Sequence, residues 1–293
     1  MTLWIGPIGR GEKHRRDNPA GLRFPRDCME LPPIIFEDET LLALDKPSDL
    51  PVVPASGAAH GECLQAMLRE VHGRTITAVQ RMDAETSGVS LWAKTKPALD
   101  FVSGLFQSKT ARQVYQAFVI VDKEGDLLME HPPIRDASGL LPETFTADYW
   151  LGPDTVNKNL MRVFSRNGGQ VARTEFRVQE NFGEYALVEG RPQTNRRHQV
   201  RAHLAAAGAP VLNDVLYGDA RNQLRLSDIK RGYKGGANER PMIRSLALHL
   251  SELTFTHPVS REEISLNAPL PLEFEIALKN LRKFGRGRFG RRS

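Results

Sequence analysis

The chain has 293 residues, of which 40% are hydrophobic and 26% charged, a composition typical of a packed protein with one large domain or two small ones. It contains no apolar run near the roughly 18 residues that a membrane-spanning helix needs, and its first residues, MTLWIGPIGRGEKHRR, lack the apolar centre of a signal peptide. The two cysteines, Cys28 and Cys63, fit neither a disulfide framework nor the ligand spacing of structural zinc. We therefore predict a cytoplasmic protein without a metal site.

Positive charge is concentrated at the C-terminus. Residues 281–293, LRKFGRGRFGRRS, hold six of the 40 basic residues and no acidic one, so residues 1–280 carry 34 basic against 35 acidic side chains, a net charge of −1. A Gly/Arg-rich segment with interleaved Phe284 and Phe289 suits sequence-independent binding to phosphates and bases. A disordered solubilising end explains the same composition equally well.

The first third of the chain predicts an arm followed by alternating strands and helices. Residues 1–30 mix Gly, Pro and both charge signs without periodicity, which indicates an irregular arm. From Pro33 onward, PIIFEDETLLALDKP predicts two short strands around an acidic turn, and residues 62–71 predict a helix stopped by Gly73. A second helix is predicted to begin near Pro97, because apolar residues then recur at helical spacing.

Strands dominate the middle of the chain. VYQAFVIV (114–121) predicts a strand, and after a Pro/Gly-rich passage four more are predicted at residues 145–150, 160–165, 172–179 and 184–189.

The last third is predicted to begin with a helix at residues 198–207, ended by Gly208. The polar, Gly-rich residues 219–245 predict a long mobile loop. LALHLSELTF and REEISL predict a closing hairpin before a helix at 271–283. Because strands outnumber helices and do not alternate with them, we predict an α+β fold built on a largely antiparallel sheet.

Two opposite charges, Arg81 and Asp83, stand just before an apolar strand in QRMDAETSGVSLWAKT (80–95). An aspartate at the start of a turn can bind backbone N–H groups two or three residues ahead, with Gly88 supplying a positive φ. The alternative is a partly dehydrated carboxylate that acts as a nucleophile or base. For Arg81 the alternative to a functional role is a salt bridge to Glu85 or another surface acid.

Arginines gather in GRPQTNRRHQVRAHLAAAG (190–208), a stretch without an acidic residue. If a helix begins near His198, Arg197 and Arg201 lie four residues apart and project on one side, close to the helix N-terminus. Guanidinium groups and a helix N-terminus both favour anions, so this segment is predicted to hold an RNA phosphate or a protein carboxylate, Asp83 being a candidate. A solvated basic face is the alternative.

Five ordered stretches resemble segments of the RluA family of pseudouridine synthases, over about residues 34–280. QRMDAETSGVSLWAKT is similar to the family's His-Arg-Leu-Asp-x-x-Thr-Ser-Gly-Leu segment, and ALDKPSDLPVVPASG to its Asn/Asp-Lys-Pro segment. QVYQAFV resembles the strand with an active-site tyrosine. TNRRHQVRAHLAAAGAPVLNDVLYG resembles the Thr-Gly-Arg-Thr-His-Gln-Ile-Arg-x-His segment with its Gly-Asp-x-x-Tyr-Gly ending, and LALHLSELTFTHP the last strand.

The resemblance implies a pseudouridine synthase fold over residues 31–280, a mixed sheet with flanking helices and a central active-site cleft, between the arm and the basic tail (281–293). It implies that the protein isomerises specific uridines in structured ribosomal or transfer RNA to pseudouridine. Uracil is detached from C1′ of its ribose and rejoined through C5, so no cofactor, nucleotide or redox partner is required. We expect a monomer that acts on RNA and has no membrane partner.

The resemblance also implies roles for individual residues. Asp83 is the catalytic residue, which attacks C1′ or assists removal of a ribose proton, and Arg201 is its ion-pair partner. Tyr115 lies against the uracil, and its phenol is placed to remove the C5 proton. Because the target base must leave its stack, Arg81 is implied to fill the vacated space in the RNA. The implied RNA-binding residues are Arg81, Arg196, Arg197, His198 and Gln199.

The sequence departs from the family pattern at residues that flank the implied chemistry: Gln80, Met82, Gln113, Asn195 and Arg197. These departures bear on substrate choice, and they motivate the alternative of a noncatalytic RNA-binding or ribosome-assembly protein that retains the fold. A second alternative is a carboxylate-dependent hydrolase that uses Asp83 and Glu85.

Overall fold

The computed structural model describes residues 30–54, 63–121, 132–219, 222–236 and 238–285. The predicted N-terminal arm lies outside these residues except for Glu30, and so does the predicted tail from residue 286 onward. The fold described below belongs to the unit that begins at Leu31.

Strands in the described residues occur where the sequence alternates or runs apolar. They are β1 (Ile34–Glu37), β2 (Leu41–Lys46), β3 (Thr77–Ala78), β4 (Ser87–Ala93), β5 (Arg112–Ile120), β6 (Thr144–Pro153), β7 (Met161–Phe164), β8 (Gln170–Asn181), β9 (Tyr185–Pro192), β10 (Leu248–Thr256) and β11 (Glu263–Asn267). Every residue of β4 is buried, so this strand is covered on both faces, whereas β8 alternates exposed and buried residues over most of its length. The strand predictions for both halves of the chain are confirmed.

Helices pack on this sheet through one apolar face or, in one case, all round. They are α1 (Leu64–His72), α2 (Lys96–Gln107), α3 (Gln199–Ala206), the single turn α4 (Leu226–Ile229) and α5 (Leu272–Phe284). The hydroxyl of Thr95 accepts a hydrogen bond from the N–H of Ala98 and caps α2, with Pro97 in its first turn. All eight residues of α3 are buried, so this helix carries its polar side chains into the interior.

The strands form one sheet in the order β1-β2-β4-β10-β5-β9-β8-β6-β7, with β11 on β10 and β3 on β4. Every pairing is antiparallel except that between β4 and β10. The predicted α+β fold with a largely antiparallel, mixed sheet is therefore confirmed. Because β4, β10 and β5 are adjacent, the segment before β4 and the middle of β5 lie in the same part of the molecule.

Two predictions of local structure are wrong. Residues 219–245 are not a free loop in their described part: Leu224, Ile229 and Ile243 are buried in the main hydrophobic core, and the N–H of Met242 donates to the carbonyl of Leu224. The basic tail does not begin at residue 281, because α5 continues to Phe284 and buries Leu281. In both cases scattered apolar residues within a polar stretch supply enough buried surface to order it.

The described part of the chain has no helix that is both long and apolar enough to cross a membrane.

Candidate active site

Asp83 lies in the short segment between β3 and β4. The N–H of Thr86 donates to the backbone carbonyl of Asp83 at 3.2 Å, which closes the turn and leaves the carboxylate for other partners. Gly88 follows in β4 with φ of 108°, and a Cβ there would lie 2.1 Å from the carbonyl oxygen of Leu250. The predicted positive φ of Gly88 is confirmed, and it allows β4 to approach β10 closely beneath the Asp83 turn.

Lys46, the last residue of β2, holds this turn through hydrogen bonds to backbone carbonyls. Its side chain is fully buried, and its Nζ donates to the carbonyls of Pro47 and Leu50 at 2.9 Å and of Ala84 at 2.8 Å. The hydroxyl of Ser48 donates to the carbonyl of Glu85. Burial lowers the pKa of Lys46 to about 7, against the opposing charges of Asp49, Glu85 and Asp83. The three carbonyl acceptors match the three N–H groups of an ammonium, so we regard the charged form as the one this site is built for.

Two departures from the family pattern, Gln80 and Gln113, contact each other. Both are buried, the Nε2 of Gln113 donates to Oε1 of Gln80, and Nε2 of Gln80 donates to the carbonyl of Val89 at 3.1 Å. Gln80 stands three residues before Asp83, and Gln113 stands two residues before Tyr115 on the same face of β5. The amide pair therefore joins the segment with Asp83 to the strand with Tyr115.

The predicted contact between Asp83 and Arg201 is present. Nη1 of Arg201, on α3, donates to Oδ2 of Asp83 at 3.1 Å, and this arginine side chain is only 2% exposed. The Asp83 side chain is 22% exposed, so its carboxylate is held from inside the protein while one part faces outward. The carboxylate of Asp83 therefore binds a side chain from α3, and the alternative that it only accepts hydrogen bonds from the backbone of its own turn is wrong.

Asp214 is the main partner of Arg201, and the sequence interpretation missed it. Its fully buried carboxylate accepts hydrogen bonds from Nε at 2.7 Å and from Nη2 at 2.8 Å, which makes a bidentate ion pair. Burial alone would lower the pKa of Arg201, but the hydrogen bonds and charge of Asp214, together with Asp83 and Glu85, raise it. The signal was present, because Asp214 occupies the aspartate of the Gly-Asp-x-x-Tyr-Gly-like ending NDVLYG.

His198 lies beside Asp83, although the sequence analysis assigned it to RNA. Its side chain is 7% exposed, and its Nε2 is 3.6 Å from Oδ1 of Asp83. Its Nδ1 is 3.0 Å from the hydroxyl of Tyr217, a second residue of NDVLYG that the sequence interpretation did not single out. The guanidinium of Arg201 also lies over the Tyr217 ring, with Cζ 5.5 Å from the ring centroid.

Tyr115 is on β5, paired with Leu250 of β10 on one side and Gly190 of β9 on the other. Its side chain packs against two hydrophobic clusters and is partly buried. Burial raises the pKa of Tyr115, and the nearby charge of Asp83 raises it further. The phenol is therefore neutral at physiological pH, and this favours stacking or hydrogen bonding over action as a phenolate base.

Arg197 and Arg201 do not project on one side of a helix, as the sequence analysis expected. His198 has a left-handed φ of 55° and α3 begins only at Gln199, so Arg197 precedes the helix. Arg197 is exposed, and its Nη1 donates to the carbonyl of Lys158 at 3.3 Å. Arg196 is half-buried, with Nε 3.3 Å from the carbonyl of Val171.

Gln199 is buried, and its amide is engaged within the protein. Nε2 donates to the carbonyl of Arg173 and the hydroxyl of Thr174, and Oε1 accepts from the hydroxyl of Thr194 and the N–H of Arg196. With both ends of the amide satisfied, Gln199 orders the approach to α3, and direct RNA contact is not supported.

Arg81 is exposed and stands two residues before Asp83. Within the described ranges no hydrogen bond or ion pair engages its guanidinium, so the alternative of a salt bridge to Glu85 or another surface acid is wrong for these residues. Glu85 instead lies 3.8 Å from Nη1 of Arg201. A cation two residues from Asp83 that has no partner among the described side chains is available to a polyanionic ligand.

Taken together, the site offers one partly open carboxylate next to a buried guanidinium, a neutral phenol and an imidazole. A carboxylate in that setting can attack an electrophilic carbon or accept a proton. The described residues also include no group of three or more metal-ligating side chains placed to share an ion.

The chain is similar to known proteins over most of its length. Residues 40–206 match the family model described as RNA pseudouridylate synthase, a range that includes Asp83, Tyr115 and Arg201. The ribosomal large subunit pseudouridine synthase D of Neisseria meningitidis is 31% identical over 274 residues, which cover 91% of this chain and 65% of that protein. The ribosomal large subunit pseudouridine synthase C of Vibrio cholerae is 31% identical over 252 residues, which cover 85% of this chain and 69% of the relative.

Solved structures show the same fold. Human RNA pseudouridylate synthase domain containing 4 superposes with a TM-score of 0.59 at 23% identity, covering 85% of this chain and 92% of the human chain. Human RNA pseudouridylate synthase domain containing 1 superposes with a TM-score of 0.58 at 20% identity. At these identities the likeness concerns the fold alone.

Proposed function

The chain belongs to the RNA pseudouridylate synthase family, with the motifs of its RluA branch, and we propose that it isomerises uridines in structured RNA to pseudouridine, with Asp83 as the catalytic residue. One observation carries this proposal: the Asp83 carboxylate, 22% exposed, lies 3.1 Å from a guanidinium that is itself 2% exposed. A cation buried behind the carboxylate favours its ionised form without blocking its outer face.

Asp214 makes that arrangement possible. It binds Nε and Nη2 of Arg201, and Nη1 is the nitrogen that donates to Asp83. This bidentate pair fixes the plane of the guanidinium before substrate binds. A preorganised guanidinium does not have to reorient during the reaction. Arg201 is therefore an oriented partner for Asp83.

The reaction moves one glycosidic bond. The N1–C1′ bond breaks, the base turns, C5 bonds to C1′, the C5 proton leaves and N1 acquires a proton, so the product is an isomer of the substrate. In our proposal Asp83 either adds to C1′ as the base departs or removes a ribose proton to start the departure. Both routes need the ionised carboxylate that Arg201 supports.

Tyr115 is proposed to lie against the uracil and hold its ring. A neutral phenol suits that role, since the raised pKa of Tyr115 disfavours the phenolate form that a direct base would need. Tyr115 can still keep the detached uracil in place while it turns, because stacking on an aromatic ring is worth about 1 to 3 kcal/mol per base.

Access to the site requires the target nucleotide to leave the stack, at a cost of a few kcal/mol. Arg81, exposed and without a protein partner in the described part of the chain, is proposed to occupy the space that the base vacates. The exposed Arg197 and half-buried Arg196 add positive charge near the approach to α3, where they are proposed to contact phosphates.

Large-subunit ribosomal RNA is the first substrate to test, because several relatives are named for the ribosomal large subunit. Transfer RNA is the second, and we propose that the protein acts on either as a monomer. The chain spans only 65% of the length of its Neisseria relative, so the choice of RNA belongs to this proposal and not to the family assignment.

The direct test measures release of tritium from RNA labelled at C5 of uridine, incubated with the purified full-length chain. We expect release with large-subunit ribosomal RNA, and none with Asp83→Asn, which keeps the shape of the side chain but not its charge. Circular dichroism and a binding assay on the same variant check that it folds and retains RNA. Release by Asp83→Asn at the wild-type rate would contradict the proposal.

The same incubation separates the alternatives. Binding without tritium release from any RNA offered would support a noncatalytic RNA-binding or assembly protein. Strand scission would support a hydrolase using Asp83 and Glu85, which both lie near Arg201.

A further inference from the structure

His198 stands between the hydroxyl of Tyr217 and the carboxylate of Asp83. Its Nδ1 is 3.0 Å from the Tyr217 hydroxyl, and its Nε2 is 3.6 Å from Oδ1 of Asp83. The two ring nitrogens of a histidine exchange donor and acceptor roles with the tautomer, so what Tyr217 does at one nitrogen decides what the other presents to Asp83.

The surroundings of Tyr217 select one tautomer. The N–H of Met161 donates to the Tyr217 hydroxyl oxygen at 2.8 Å, so that oxygen already accepts a hydrogen bond and its own proton is left to donate. Nδ1 of His198 is the acceptor within reach. With Nδ1 accepting, the ring proton is on Nε2 and the N–H faces Oδ1 of Asp83.

Burial and the surrounding charges together favour the neutral form of His198. Burial lowers the pKa of His198, the charges of Asp83 and Glu85 oppose that change, and those of Arg201 and Arg197 reinforce it. A Tyr217 hydroxyl that donates to Nδ1 further disfavours a proton there. His198 therefore presents an N–H to Asp83 without adding a full positive charge.

The two oxygens of Asp83 are consequently in different environments. Oδ2 accepts from Nη1 of Arg201 at 3.1 Å, whereas Oδ1 is 3.6 Å from Nε2 of His198, beyond the usual donor–acceptor distance of a hydrogen bond. Oδ1 is thus the less firmly bound oxygen, and the imidazole limits rotation of the carboxylate about its Cβ–Cγ bond.

We propose that His198 is a positioning residue for Asp83, locked by Tyr217 and Met161 in the tautomer with the proton on Nε2, so that the carboxylate presents Oδ1 to the substrate while remaining charged. The left-handed backbone of His198, φ 55°, is the kind of unfavourable conformation that a structure retains where it places a side chain for use. The catalytic consequence rests on the proposed function, but the tautomer does not.

The tautomer can be read directly by nitrogen-15 NMR on the full-length chain with labelled histidine, since protonated and unprotonated ring nitrogens differ widely in chemical shift. The His198 signals are those that vanish in His198→Gln. Near neutral pH we expect an unprotonated Nδ1 and a protonated Nε2. In Tyr217→Phe, which keeps the ring but not the hydroxyl, we expect that pattern to be lost. Protonation at Nδ1 in the wild type would overturn the proposal.

Kinetics test the link to Asp83, with Tyr233→Phe as the matched control on an exposed tyrosine that the site does not use. We expect His198→Ala to lower kcat roughly 10- to 100-fold with KM changed less than about threefold, because a reacting group misplaced by about 1 Å can cost on the order of 100-fold in rate. His198→Gln, whose amide N–H reaches to about the same place, should recover much of that loss. A wild-type kcat in His198→Ala would contradict the positioning role.

Tyr217→Phe gives a second, pH-dependent readout. Without the hydroxyl donor, Nδ1 is free to take a proton under the influence of Asp83 and Glu85, so the acidic limb of the kcat profile should move to higher pH. An unchanged limb would oppose the proposal. If Asp83→Asn, tested separately, proved fully active, the proposed function would fail while the NMR result could still establish the tautomer.

Discussion

Asp214 binds the guanidinium of Arg201 through both carboxylate oxygens, at 2.7 and 2.8 Å, with its own side chain fully buried. Arg201 in turn donates to Oδ2 of Asp83 through Nη1, at 3.1 Å. The residue that orients Arg201 is thus not one of the residues proposed to face the substrate. This relationship makes the stability of the protein and its proposed activity depend on the same buried contact.

Asp214→Asn is expected to lower both properties. Removing one charge of a buried pair leaves Arg201 short of a partner, and such losses cost about 3 to 5 kcal/mol in the free energy of unfolding. We also expect pseudouridine formation to fall more than tenfold under conditions where the variant is folded. Urea unfolding followed by circular dichroism and the tritium-release assay measure the two effects.

Glu85→Gln is the matched control for stability. Glu85 also faces Arg201, but at 3.8 Å and with a side chain 47% exposed, so its loss should cost under about 1 kcal/mol. Equal destabilisation by the two substitutions would show that the buried geometry of Asp214 has no special weight.

The Gln80–Gln113 pair should behave as a coupled unit. Gln113→Met removes a donor and leaves Oε1 of Gln80 buried without its partner, which we expect to cost about 1 to 3 kcal/mol. The double variant Gln80→Met, Gln113→Met should cost less than the sum of the single ones, since neither partner is then left behind. A double-mutant cycle measured by urea unfolding gives the coupling energy, and strict additivity would argue against the contact.

Stability is expected to rise with pH between about 4 and about 6.5. Burial lowers the pKa values of His203 and His249 to about 4 in the folded protein, from the ordinary value of 6.5. Between these values the unfolded chain binds more protons than the folded one, so acid favours unfolding. Urea midpoints from pH 4.5 to 7.5 test this, and His203→Gln, which does not titrate there, should show a shallower dependence than the wild type.

The basic C-terminal residues 286–293 are expected to strengthen RNA binding without selecting a sequence. They contain four arginines, and each phosphate contact contributes roughly 0.7 to 0.9 to the salt slope of log affinity. Removing residues 286–293, and not residues 282–293, spares α5 and the ion pair between Arg282 and Glu180. We expect weaker binding to all RNAs and a smaller salt slope, measured by filter binding at several salt concentrations.

A charge-matched variant separates charge from structure in that experiment. Replacing the four arginines by lysines should keep the salt slope, whereas replacing them by glutamines should reduce it as truncation does. An identical slope in the glutamine variant and the wild type would mean that these residues do not contact phosphates.

Most of the strands and helices could be predicted from local sequence patterns. Period-two and period-3.6 apolar patterns predicted the strands and helices, because each depends on residues only a few positions apart. The resemblance of five ordered motifs to the RluA family pointed to Asp83, Tyr115 and Arg201. The errors arose where a local pattern does not determine packing. Residues 219–245 are mostly polar and were predicted as a loop, but they include Leu224 and Ile243, which are buried in the core.

Tertiary structure alone decided how the site is assembled. Arg201 meets Asp83 across 118 positions of sequence, Gln80 meets Gln113 across 33, and His198 meets Tyr217 across 19. A left-handed turn at His198 also moved the start of α3 to Gln199, which separated the exposed Arg197 from the buried Arg201. A sequence states which charges and hydrogen-bonding groups exist, but their partners depend on distance and burial, and those follow only when the sheet brings remote segments together.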